Sequence, residues 1–142
     1  MIRHAMRTLC AATFVAVPLA LTVTPAQALT SCTVNGRPVS GSTVNGTAGS
    51  DYISCGALAQ GDSVNGSGGS DYIVINGIVA GTVDGGAGND FIMANAGTTV
   101  SGRILGGPDG DSILVGPNAG TVDGGAGTDF CRVASGNPPV NC

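Results

Sequence analysis

Five aspartates, Asp51, Asp71, Asp90, Asp111 and Asp129, recur at intervals of 20, 19, 21 and 18 residues. Each closes a Gly-rich phrase: VNGTAGSDYI at 44–53, VNGSGGSDYI at 64–73, VDGGAGNDFI at 83–92, ILGGPDGDSI at 104–113 and VDGGAGTDFC at 122–131. Glycine reaches positive φ without steric cost, so such a loop can curl and turn its carbonyls inward. Inward carbonyls plus one carboxylate are the oxygen donors of a hard cation such as calcium, which takes about 6–8 oxygens. Repetition adds a reason for a cation. Carboxylates stacked one strand apart, about 4.8 Å, repel by roughly 3.5 kcal/mol at an effective dielectric of 20. The competing arrangement splays the carboxylates into solvent, with no metal.

Other chemistries lack residues. All nine acids are Asp, Glu and Lys are absent, and the only histidine is His4. General acid–base work by Glu, or a nucleophile assisted by His, has nothing to run on in the repeats. No C-x-x-C pair exists to suggest zinc. The formal net charge of −4 argues against a nucleic-acid partner held by basic patches. The chain is expected to be non-enzymatic.

The elements that position these loops follow from the same repeat. A period near 20 residues is short for a helix pair and suits one coil of a β-solenoid. Gly at this density, 25 in 142 residues, also opposes helices. Behind each Asp lies a short β-rich run, and alternation places Ile53, Ile73, Ile92, Ile113 and Cys131 on one face. Before each loop stand Val44, Val64, Val83, Ile104 and Val122. The expectation is an all-β parallel β-roll or β-solenoid of four to five coils. Each coil would have two strands and two turns, with two apolar columns facing each other. The corner opposite the Asp loops carries Asn76-Gly77, Asn95-Ala96-Gly97 and 116–120, turn residues without acids.

GGAGNDFI at 85–92 matches the G-G-x-G-x-D-x-U nonapeptide, and the chain here resembles the RTX (haemolysin-type) calcium-binding repeats. GGAGTDFC at 124–131 departs only at Cys131, GGPDGDSI at 106–113 has Asp109 in place of a Gly, and the first two loops carry Thr47 and Ser67 at the second Gly. The resemblance spans residues 44–131. It implies calcium ions between adjacent loops, held by the sixth-position carboxylates and by loop carbonyls. The implied ligands are Asp51 and Asp71; Gly85, Gly86, Ala87, Gly88 and Asp90; Gly106, Gly107, Pro108, Asp109 and Asp111; and Gly124, Gly125, Ala126, Gly127 and Asp129. The family repeats its motif every nine residues on both edges. Here it appears once per coil, so one edge would carry metal, with at most four inter-loop sites. Asp84 and Asp123 read as strand ends and Asp62 as a turn residue. Repeats of this kind are typical of bacteria, and calcium binding coupled to folding is the expected behaviour.

Residues 1–28 read as a cleaved signal peptide. Arg3, His4 and Arg7 precede an apolar stretch of 15 residues, Leu9 to Val23, and Pro25-Ala26-Gln27-Ala28 offers a cleavage site. Such a stretch is short for a membrane span. Leu29-Thr30-Ser31-Cys32 resembles a lipobox, which would anchor Cys32 to lipid; cleavage after Ala28 instead leaves four cysteines, an even number suited to two disulfides outside the cell. Of three connectivities the local one is expected, Cys32–Cys55 and Cys131–Cys142, closing the two ends. Residues 29–43 would cap the N-terminal end and 132–142 the C-terminal end. The expected protein is secreted, binds calcium, and plays a structural or interaction role toward a matrix or cell-surface partner. Its rival is an ice- or surface-binding solenoid using a ladder of Thr43, Ser63, Thr82 and Thr121, which Arg103 interrupts.

Overall fold

The computed structural model describes residues 31–142, so the signal-peptide segment lies outside the described residues. Twelve strands and no helix make up the described chain. Two form an N-terminal hairpin, β1 (Ser31–Val34) and β2 (Arg37–Ser40). Five then line one side: β3 (Thr43–Asn45), β5 (Ser63–Asn65), β7 (Thr82–Asp84), β9 (Arg103–Pro108) and β11 (Thr121–Ala126). Five line another: β4 (Tyr52–Cys55), β6 (Tyr72–Ile75), β8 (Phe91–Ala94), β10 (Ser112–Asn118) and β12 (Phe130–Gly136). The chain alternates between the two, giving a parallel β-solenoid of about five turns, as the repeat predicts.

The register sets equivalent loop residues above one another. Val44 pairs with Val64, Val64 with Val83, Val83 with Ile104 and Ile104 with Val122. Ile53, Ile73, Ile92, Ile113 and Cys131 stack on the other sheet. Nine of these ten side chains are buried; Cys131, in the last coil, is partly so. The β-branched columns fit a pleated surface and supply the core of a coil too thin for aromatic residues.

The cross-section differs from the expected two columns. A third inward column, Leu58, Val79 and Val100, is joined by isolated parallel bridges and is at most 1% exposed. Strands of three to four residues use less than half of a 20-residue coil. The rest folds round a third side and buries its own apolar residue. Its distance from the preceding loop varies by up to three residues between coils, which hid it from alignment on the Gly loops. Asp62 sits at this corner as a buried turn residue, its carboxylate accepting the Ala59 N–H at 2.9 Å.

Both disulfides join the expected partners, Cys32–Cys55 and Cys131–Cys142. The N-terminal cap is an antiparallel hairpin turning at Asn35 (φ 52°) and Gly36 (φ 77°), a dipeptide suited to a two-residue turn. β1 lies antiparallel on β4, with Cys32 opposite Cys55, so the cap reverses the direction of every other pairing. Pro38 on the outermost strand lacks an N–H and blunts that edge. At the other end the tail returns over β11, where Val140 pairs with Asp123 and its carbonyl accepts the Gly124 N–H.

Candidate functional site

The five repeated aspartates form one column on the corner between the two sheets. Each turns inward, and the Oδ1 of one accepts the backbone N–H of its counterpart one coil earlier: Asp71 from Asp51, Asp90 from Asp71, Asp111 from Asp90 and Asp129 from Asp111, all at 2.8 Å. Asp51, Asp71, Asp90 and Asp111 are buried; Asp129, in the final coil, is half-buried. The arrangement with carboxylates splayed into solvent is therefore not the one the chain adopts.

The second carboxylate oxygen divides the column. Oδ2 of Asp71, Asp90 and Asp111 is buried and has no hydrogen-bond partner. Oδ2 of Asp51 accepts both the backbone N–H and the hydroxyl of Thr47, at 2.5 and 2.9 Å, and its Oδ1 accepts from the Asn35 side chain. Asn35, at the hairpin turn, also accepts the Tyr52 N–H and so imitates a further coil. Where the column begins, three donors satisfy the carboxylate. In the three coils that follow, Oδ2 receives none. Asn35 and Thr47 were not singled out as site residues; the Asn-Gly pair and the Thr in place of Gly were the available signals.

The first Gly of each loop is packed against the orphan oxygen. A Cβ on Gly66, Gly85 or Gly106 would collide with Oδ2 of Asp71, Asp90 or Asp111, and also with the carbonyl oxygen of Gly85, Gly106 or Gly124 in the next coil. Each orphan oxygen thus faces a carbonyl oxygen, acceptor against acceptor, across a Cα–H. At the C-terminal end the Asn141 carbonyl takes that place against Gly124. The fourth loop position turns through positive φ, 99° at Gly69, 117° at Gly88 and 152° at Gly127, and Asp109 adopts 80° there despite its side chain.

Charge is uncompensated in the column. Burial, with no arginine among the contributing groups, pushes the carboxyls of Asp71, Asp90 and Asp111 above the usual range, Asp90 to about 6. Neighbouring aspartates add to each shift. Asp51 moves the opposite way, held down first by the Thr47 backbone hydrogen bond. A raised folded pKa means the folded state binds protons that the unfolded chain releases. Stability from these three groups is therefore present below the ordinary Asp value and lost as pH rises through about 6. In EDTA, urea melts are expected to show a less stable protein at pH 8 than at pH 5.5; the reverse order would refute the buried, uncompensated column.

The remaining candidates are placed as follows. Asp109 is exposed, and Pro108, Ala87 and Ala126 lie on the outer curve of their loops. The Ala87 carbonyl already accepts the Gly69 N–H. Asp84 and Asp123 are strand ends whose carboxylates accept the N–H of Gly86 and Gly125, each at 3.1 Å. No group of three or more His, Cys, Asp or Glu side chains stands close enough to hold a metal among the described residues. A cation in the column would therefore be held by at most two carboxylates, with main-chain carbonyls supplying the other oxygens. The donors present, hard oxygens only, fit calcium and exclude a soft-metal preference. On the outer face of the other sheet, Thr43, Ser63, Thr82, Arg103 and Thr121 are in register, with one side-chain hydrogen bond, Ser63 to Thr43 at 3.4 Å. No helix among the described residues is long and apolar enough to cross a membrane. No family model, curated protein or solved structure matches the chain.

Proposed function

We propose that the chain is an exported calcium-binding β-solenoid of the RTX-like kind, with a structural or interaction role rather than catalysis. The observation that carries the reading is the contrast within the Asp column. Asp51 receives donors on both oxygens, whereas Asp71, Asp90 and Asp111 each keep one buried oxygen without any. A buried acceptor left unmade costs about 1–3 kcal/mol, more when charged. A cation between coils would remove that cost at three positions. Gly85, Gly106 and Gly124 would offer carbonyls beside Asp71, Asp90 and Asp111, and the ion would supply the positive charge the column lacks. The two disulfides and the even cysteine count suit an oxidising compartment outside the cell.

Calcium should raise the melting temperature markedly at pH 7.5, where the column is ionised. Thermal melts followed by circular dichroism, in EDTA and in excess calcium, check this. An increase of about 10 °C or more is expected if three sites are filled at tenfold excess over Kd. Identical melts would remove the proposal. The Thr column supports a second, weaker reading as an ice-binding face, since Arg103 breaks it in the fourth coil; thermal hysteresis would reveal it.

A further inference from the structure

The outer face of β4, β6, β8, β10 and β12 carries a second column, Tyr52, Tyr72, Phe91, Ser112 and Phe130, in continuous parallel register. Tyr52, Tyr72 and Phe91 stack as a ladder, with ring centroids 5.5 and 4.8 Å apart and planes within 12°. Ser112 then interrupts the ladder by one rung, and Phe130 resumes it, 60% exposed. Two rungs separate Phe91 from Phe130, about 9.6 Å at the ordinary strand spacing. The gap has the width of one aromatic ring stacked at ladder distance on each side, with a serine hydroxyl on its floor.

Two residues further along the same strands lie Met93, Leu114 and Arg132, which line an open cavity of about 420 Å³. That step along a strand is about 6.6 Å. A ring seated over Ser112 with an arm of that length would bring its end to the level of Arg132, one of only three arginines among the described residues.

We propose that the gap over Ser112 is a binding slot for a planar aromatic ring carrying a carboxylate on a short arm. Phe91 and Phe130 stack on the ring, Leu114 and Met93 pack along the arm, and Arg132 pairs with the carboxylate. Offset-stacked aromatic pairs favour such intercalation beyond the area they bury. The slot is independent of the Asp column, which faces inward on the preceding residue of each strand.

The test is an NMR titration of the full exported chain with indole-3-propionate, indole and cyclohexanepropionate. Saturable upfield ring-current shifts at Phe91, Ser112 and Phe130 are expected with indole-3-propionate, at a Kd on the order of 1 mM. Ser112→Phe, which completes the ladder on an exposed face, should weaken that binding by about 10-fold or more while leaving the fold intact. Arg132→Gln should weaken indole-3-propionate several-fold and leave indole unchanged. No saturable shift in the wild type, undiminished binding in Ser112→Phe, or equal binding of cyclohexanepropionate would overturn the slot. Equal effects of Arg132→Gln on the acid and on indole would overturn the role given to Arg132.

Discussion

Replacing Asp90 by Asn is expected to stabilise the calcium-free protein and to reduce the stabilisation that calcium confers. The two signs come from one geometry. Asn keeps an oxygen to accept the Asp71 N–H at 2.8 Å, so the ladder bond survives. Its NH₂ replaces the orphan Oδ2 and faces the Gly106 carbonyl, turning two opposed acceptors into a donor and an acceptor. The substitution also removes like-charge repulsion with Asp71 and Asp111, both of which contribute to the raised pKa of Asp90. One such pair, a rung apart, is worth roughly 3.5 kcal/mol at an effective dielectric of 20. Part of this is already relieved by protonation near neutral pH, so a gain of about 2 kcal/mol in EDTA at pH 8 is the expected size. Saturating calcium should reverse the order, because Asn brings no charge to the ion. Urea denaturation of both proteins, with EDTA and with calcium, reads all four values. A variant less stable than wild type in EDTA would show that the lone oxygen is not the source of strain described above.

The second large effect is steric. Gly85→Ala places a methyl group where Oδ2 of Asp90 and the Gly106 carbonyl already stand, the latter 2.5 Å from the added carbon. Neither neighbour is the tip of a flexible chain: one is backbone and the other is pinned by its bond to Asp71. The coils would have to separate locally, breaking the registered stack of β7 on β9. A loss of more than about 3 kcal/mol is expected, at the upper end for overpacking. Gly56 is the control, since its added carbon would lie 3.8 Å from the nearest atom, at ordinary contact. Gly56→Ala should change stability by less than about 1 kcal/mol. Comparable losses in the two variants, measured by chemical denaturation, would contradict the close packing of the Asp column.

Much of this architecture was legible because a repeat reports each feature five times. The Val and Ile columns, the Asp column and the two cysteine pairs all keep constant offsets from the Gly loop, and each was found where alternation put it. Leu58, Val79 and Val100 were missed for the opposite reason. Their side of the coil absorbs the insertions that make the period 18 to 21, so their spacing slides while their burial does not. The distinction between Asp51 and the three aspartates below it was also out of reach. It depends on Asn35, which is brought to the column by an antiparallel hairpin that no repeat foretells. Inward stacking of the carboxylates, with one oxygen bonded to the next coil and one left alone, is a fact of three dimensions that motif spacing alone does not contain.

The central claim is that the three lone carboxylate oxygens of Asp71, Asp90 and Asp111 are places for calcium. Calorimetric titration of the calcium-free protein at pH 7.5 counts them directly. The account predicts three ions per chain, one for each lone oxygen, falling to two in Asp90→Asn and staying at three in Asp51→Asn if that variant remains folded. Absence of binding at calcium concentrations up to about 10 mM, well above the range typical of extracellular modules, would contradict it.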